Sequence, residues 1–204
     1  MKDNILGIFP TPIYLSKINR KLSENELKFV FENKKYITEN EGNLVTKNKY
    51  ILNEKIFINI KKEINLKIQD YFDKIFCTSN SIKPYITQSW INYTEKNQYH
   101  HKHQHSNSLV SGVFYINCDE ENDKIIFFKD KYETLKLEVK QYNLWNSDTW
   151  WCAVKTGDII LFPSHLNHMV ETKKSNITRI SLAFNVFIKG NLGKKEMSTE
   201  LILQ

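Results

Sequence analysis

Tyr85-Ile86-Thr87-Gln88-Ser89-Trp90-Ile91-Asn92-Tyr93 is the stretch at which the chain changes its period. It is rich in β-branched and aromatic residues, and alternate side chains fall on opposite faces, which is the pattern of a strand. Upstream the spacing is helical. Across residues 52–76, Ile56, Ile60, Ile64, Ile68, Phe72 and Phe76 recur every four positions, with Leu66 and Tyr71 beside them. Such a stripe fits a helix laid on a sheet. Lys and Glu fill its other face, so a membrane-surface helix is the alternative. Residues 23–34 read as a shorter helix, with Ser23 and Glu26 spaced as a capping box. Pro10 and Pro12 keep residues 5–15 extended, as in an edge strand.

Downstream of Tyr93 the period of two persists. Ser108 to Asn117 and Lys124 to Phe128 read as strands, separated by an acidic polar turn at 119–123. Leu135 to Val139 alternates weakly. Residues 142–151, YNLWNSDTWW, read as an aromatic, Asn-rich ordered loop, able to serve as a lid or substrate wall or simply to pack. Thr156-Gly157-Asp158 turns into a strand at Ile159 to Phe162, and Arg179 to Ile188 is the last clear strand. Helices first and short strands afterwards indicate an α+β protein whose second half is an antiparallel sandwich or barrel. The 204 residues are expected to form one domain, 1–204.

Composition narrows the function classes. The formal net charge is +6, but the Lys are interspersed with Glu and Asp. A solvated surface is therefore the simpler reading, ahead of a nucleic-acid partner. Cys77, Cys118 and Cys152 lie far apart with no CxxC, which suggests a reducing compartment and no disulfide framework. No apolar run approaches the roughly 20 residues of a membrane span. The expected location is the cytoplasm.

All six His fall in two short stretches, His100-His101-Lys102-His103-Gln104-His105 and Ser164-His165-Leu166-Asn167-His168. A close pair plus a distant third is how a non-haem metal site is commonly written in sequence. In an extended segment His101, His103 and His105 share a face, opposite His100. Those three span roughly 13 Å, too far for one ion without a bend. One H-x-H pair with His168 is the expected ligand set, either His103 with His105 or His101 with His103. His100 and His165 are expected to stand outside it. Imidazole suits Fe, Zn, Cu and Ni, so the ligands alone do not choose the metal. Arg179 opens the last strand eleven residues after His168, with Ser181 on the same face. Beside a metal, an inward Arg suits a carboxylate held through two parallel hydrogen bonds.

Taken together, these residues resemble the 2-oxoglutarate- and Fe(II)-dependent oxygenase superfamily, especially its uncharacterised bacterial and phage group. The resemblance runs through Phe9-Pro10-Thr11-Pro12-Ile13-Tyr14, Ser89-Trp90-Ile91-Asn92-Tyr93, His103-Gln104-His105 and Asn107-Ser108. It continues through Ser111-Gly112-Val113-Phe114-Tyr115, Gly157-Asp158, Phe162-Pro163-Ser164, His168, Arg179-Ile180-Ser181 and Phe184-Asn185. It implies a double-stranded β-helix (jelly-roll) core with the N-terminal helices packed outside. It further implies Fe(II) held by His103, His105 and His168, and 2-oxoglutarate anchored by Arg179 with help from Ser181. Tyr93 is implied as a further cosubstrate contact. The implied activity is hydroxylation of an unknown substrate, coupled to decarboxylation of 2-oxoglutarate to succinate. His105 stands where the superfamily usually has a carboxylate, which raises the charge of the metal site by one unit. A non-enzymatic metal-binding jelly roll and a cupin-type metalloenzyme without 2-oxoglutarate are the alternatives. Neither needs Arg179 to face the metal.

Overall fold

The computed structural model describes residues 5–79, 81–129, 135 and 137–204. Twelve strands and two α-helices follow one another among the described residues. The N-terminal part holds β1 (Tyr14–Lys17), α1 (Glu24–Asn33), β2 (Ile37–Asn40), β3 (Asn43–Thr46) and α2 (Ile58–Tyr71). The strand-rich part holds β4 (Lys83–Thr94), β5 (His100–His103), β6 (Val110–Asn117), β7 (Lys124–Phe128), β8 (Thr149–Ala153), β9 (Asp158–Pro163), β10 (His168–Val170), β11 (Arg179–Leu192) and β12 (Leu201–Leu203). The larger sheet has the order β1-β9-β6-β11-β4-β3-β2, with β12 also on β11; the smaller is β5-β10-β7-β8. Every strand pair within them is antiparallel. The fold is a jelly-roll core with helices outside it.

The helices form where the sequence places them. Ser23 caps α1 as a full capping box: its hydroxyl accepts from Glu26 N, and the Glu26 carboxylate accepts from Ser23 N at 2.7 Å. The long helical pattern is divided. Residues Ile51–Asn53 and Lys55–Phe57 are short 3-10 turns, α2 follows, and Phe72–Phe76 is a π turn. Ile60, Ile64, Ile68, Tyr71 and Phe72 are buried against Ile91, Tyr93, Phe114, Leu182 and Phe184 of the larger sheet. The sheet thus covers the apolar stripe of α2 at Ile60, Ile64, Ile68 and Tyr71, while Leu66 beside it stays exposed. No helix among the described residues is long and apolar enough to cross a membrane.

A second apolar cluster lies on the other face of the sheet. Tyr115, Ile125, Phe127, Ile160 and Phe162 are buried there together, drawn from both sheets. Gly112 on β6 allows the larger sheet to pack closely: a Cβ at that position would lie 2.2 Å from the Phe184 ring.

Some expectations change. The β2–β3 hairpin, turned at Glu41-Gly42, is absent from the sequence reading; Gly42 has φ +90. The loop expected over 142–151 ends in a strand, since β8 begins at Thr149. The weak alternation at Leu135 to Val139 lies partly outside the described residues, and no strand is assigned to the rest. The acidic turn at 119–123 is not simply solvated, because Asp119 and Asp123 are buried.

Candidate metal centre and anion pocket

Strand pairing brings the histidines together. His103 on β5 stands directly opposite His168 on β10. The chain then bends, and His105 is held by its own N–H donating to Ser164 O at 2.9 Å. The ligand-capable nitrogens of His103, His105 and His168 all lie within 4.8 Å of one another. Their rings crowd closely, with centroids 4.3 Å apart for His103 and His168, and 5.2 Å for His105 and His168. Trp90 stacks on His105 at 5.7 Å, and Phe162 meets His168 edge-on at 4.7 Å.

Hydrogen bonds fix two of the tautomers. A carbonyl only accepts, so Nδ1 carries the proton in both His103, which donates to His101 O at 2.8 Å, and His168, which donates to Leu166 O at 3.0 Å. In each, Nε2 keeps its lone pair for a metal, and the carbonyl orients the ring. Burial, followed by the neighbouring His103, lowers the pKa of His105 to about 4 and of His168 to about 3. Burial also lowers that of His103. The imidazoles are neutral at pH 7, the form that binds metal.

His100 departs from the alternation read in the sequence. Three residue steps along β5, from His103 back to His100, are matched by two along β10, from His168 to Val170. This bulge turns His100 onto the His103 side, where it stacks on that ring at 4.5 Å and lines the same cavity. His101 reaches instead towards Glu41 O at 3.2 Å. His165 is exposed and belongs to neither histidine group found among the described residues.

Arg179 lines the same cavity and is buried, as is Ser181. Its Nη1 donates to Asp123 Oδ1 at 3.1 Å, and Lys173 Nζ donates to both oxygens of Asp123 at 3.1 and 3.0 Å. All three side chains are at most 5% exposed. Two buried cations share one carboxylate, which leaves a net positive charge. Among the described residues, Arg179 Nη2 is buried without a hydrogen-bond partner, and so is Asn92 Oδ1 in the same cavity. A buried charge of this kind calls for a counter-ion and acceptors. The donor set therefore fits a metal beside an anion bearing a carboxylate.

Asp123 and Lys173 were missed in the sequence. Asp123 sits in an acidic run and Lys173 in a polar one, and neither stretch marks a buried pair. The implied role of Tyr93 is corrected. Tyr93 is fully buried on the helix face, where its hydroxyl donates to Val30 O at 2.5 Å. Alternation puts Trp90, Asn92 and Thr94 in the cavity and Ile91 and Tyr93 behind it. The tyrosine that lines the cavity is Tyr115, paired in register with Ser181. Burial raises its pKa, so it remains an O–H donor. The aromatic loop contributes to a separate cleft of about 620 Å³ lined by Tyr142, Trp150 and Trp151. Among these only Trp151 also borders the cleft outside Asp123, Lys173 and Arg179.

Comparison with known proteins agrees with this geometry. Residues 88–185, which include His103, His105, His168 and Arg179, match the family model described as "Putative 2OG-Fe(II) oxygenase". Over this stretch, just under half of the chain, the sequence is similar to that family. The whole fold resembles solved members. HygX from Streptomyces hygroscopicus, crystallised with nickel, 2-oxoglutarate and hygromycin B, superposes with TM-score 0.58 at 12% identity, over 86% of this chain and 82% of that one. A prolyl hydroxylase from Trichoplax adhaerens, in complex with a hypoxia inducible factor peptide fragment, gives TM-score 0.55 at 12% identity, over 85% and 83%. A Pseudomonas putida prolyl-4-hydroxylase gives 0.52 at 11%, over 86% and 92%. No curated protein matches the sequence.

Proposed function

We propose that this oxygenase acts as a 2-oxoglutarate- and Fe(II)-dependent dioxygenase that hydroxylates a small or macromolecular substrate, with residues 1–204 as one working unit. His103, His105 and His168 hold the metal. Arg179 holds the distal carboxylate of 2-oxoglutarate, with Ser181 and Tyr115 as further donors. The observation that carries this reading is the buried, unpartnered Nη2 of Arg179 in the same cavity as three convergent imidazoles. A plain metal-binding jelly roll, or a cupin that does without the keto acid, has no use for that guanidinium.

When bound, Fe(II) and 2-oxoglutarate supply the redox chemistry: the keto acid is decarboxylated to succinate and CO₂, while O₂ gives one oxygen to succinate and one to the substrate. The chain supplies position and shelter. The Lys173–Asp123–Arg179 array holds the guanidinium in place while leaving one of its edges free. Trp90 and Phe162 pack against the imidazoles and keep water from the inner side. The more open side is a cleft of about 450 Å³ lined by Asn40, Lys49, Gln88, Trp90, Gln104 and Asn185 beside the histidines. It is the natural approach for a polar substrate. The free thiols of Cys77, Cys118 and Cys152 suit work in a reducing cytoplasm, bacterial or phage-infected.

Anaerobic titration with Fe(II) and then 2-oxoglutarate tests the proposal. A metal-to-ligand charge-transfer band is expected in the visible, and it should be lost or shifted to at least about a hundredfold higher 2-oxoglutarate in Arg179→Ala. That variant leaves Asp123 and Lys173 as a neutral pair, so it should fold. Iron binding without any band on adding 2-oxoglutarate would sink the dioxygenase reading.

A further inference from the structure

Five of the six imidazoles adjoin one another, and they form two triads. Besides the inner set, the ligand-capable nitrogens of His100, His101 and His103 also lie within 4.8 Å of one another. Their ring centroids are 5.3 Å apart for His100 and His101, 4.5 Å for His100 and His103, and 4.7 Å for His101 and His103. The bulge in β5 produces this second triad, since regular alternation would turn His100 away.

His103 belongs to both sets and cannot serve both at once. Its Nδ1 proton is committed to His101 O at 2.8 Å, which leaves Nε2 as its one free lone pair. His101 likewise points Nδ1 at Glu41 O and keeps Nε2. Among the described residues the one hydrogen-bond contact of the His100 ring is at 3.3 Å, between its Nε2 and Asn40 Nδ2, a weak restraint.

We propose that His100, His101 and His103 form a second, outer position for a divalent transition metal, filled in alternation with the inner position because both need His103. This rests on the reading of His103, His105 and His168 as the inner ligands. All three outer residues border the cleft of about 450 Å³, as does His105, whereas His168 borders only the inner cavity of about 30 Å³, which lacks His101. Only the outer triad therefore has all three of its ligands on the cleft. Three imidazoles suit Zn, Ni, Co and Cu. A metal resting there withdraws His103 and leaves two imidazoles inside.

Anaerobic Co(II) titration, followed by d–d absorption and metal analysis, separates the two positions. The wild type should bind one equivalent. His105→Ala/His168→Ala should keep one equivalent with an altered spectrum, and lose it when His101→Ala is added. His100→Ala/His101→Ala should keep one equivalent at the inner position. Two simultaneous equivalents in the wild type, or none in His105→Ala/His168→Ala, overturn the proposal while leaving the inner site standing. No cobalt in His100→Ala/His101→Ala, with cobalt retained in His105→Ala/His168→Ala, removes the inner site and the alternation with it. Should a variant not fold, wild-type crystals soaked in excess Co(II) and measured at the cobalt edge decide. Two partly occupied peaks, one per triad, are expected, and a single peak in either triad overturns alternation.

Discussion

The two faces of the larger sheet are made by the same strands and do opposite work. On β11, Ile180, Leu182, Phe184 and Val186 turn to the helices, while Arg179, Ser181 and Ala183 turn to the cavity. On β4, Ile91 and Tyr93 face the helices, and Trp90, Asn92 and Thr94 the cavity. The helix face is held by apolar burial, which is non-directional and scales with area. The cavity face is also largely buried but carries polar side chains among its apolar ones, and two of their atoms, Arg179 Nη2 and Asn92 Oδ1, have no hydrogen-bond partner among the described residues. Apolar packing on one face allows the other to keep unfilled hydrogen-bonding capacity for a ligand. Neighbours in sequence should therefore separate stability from binding.

The sharpest break of that contrast is Phe184→Ala. It removes a ring that is 1% exposed on the helix face and should cost about 3–5 kcal/mol by chemical denaturation. Iron stoichiometry measured on the folded fraction should not change. Lost iron binding in folded protein would show that the two faces are coupled.

Acidification should act through the cavity face. His105 and His168 titrate at about 4 and about 3 when folded, against an ordinary value of 6.5. With depressed folded values, the unfolded chain takes up protons first as pH falls. Metal-free protein should hold this stabilisation above pH 6.5 and lose it progressively towards pH 3, by roughly a few kcal/mol at pH 5. Urea midpoints across that range measure it, and the slope should shrink in His168→Ala. An unchanged slope would mean that His168 is not the group responsible.

Gly112→Ala sharpens the contrast from between the faces. Its new methyl would meet both Phe184 and Leu161 on the helix side, and overpacking should cost about 1–3 kcal/mol. The charge-transfer band of the folded protein should remain.

The smallest effect is a matched pair. Tyr93→Phe removes a buried hydrogen bond to Val30 O and should cost about 1 kcal/mol of stability without changing 2-oxoglutarate affinity. Tyr115→Phe should weaken 2-oxoglutarate binding, read from the charge-transfer titration. The opposite pattern would restore Tyr93 to the cosubstrate site.

Local patterns made much of this readable. The four-residue spacing of Ile60, Ile64 and Ile68 marked the buried stripe of α2, and Ser23 with Glu26 marked the start of α1. The histidines showed a metal-ligand pattern because ligand chemistry restricts residue type. The β2–β3 hairpin escaped notice because its strands have only four residues each and meet at an inconspicuous Glu41-Gly42 turn. Tyr93, implied by the resemblance as a cosubstrate contact, lies on the helix face, because a position along the chain does not say which way the pleat points. Strand parity does, and parity is set by what packs on each side.

By itself, the sequence determined the element types and the donor chemistry: a helix-covered antiparallel fold, clustered imidazoles and an Arg–Ser pair, since these follow from period and residue type. The tertiary structure alone decided which donors converge. The bulge that brings His100 beside His103 arises from pairing β5 with β10. The Lys173–Asp123–Arg179 array joins three separate segments of chain. Both depend on contacts distant in sequence, and no local pattern encodes the register in which two strands meet.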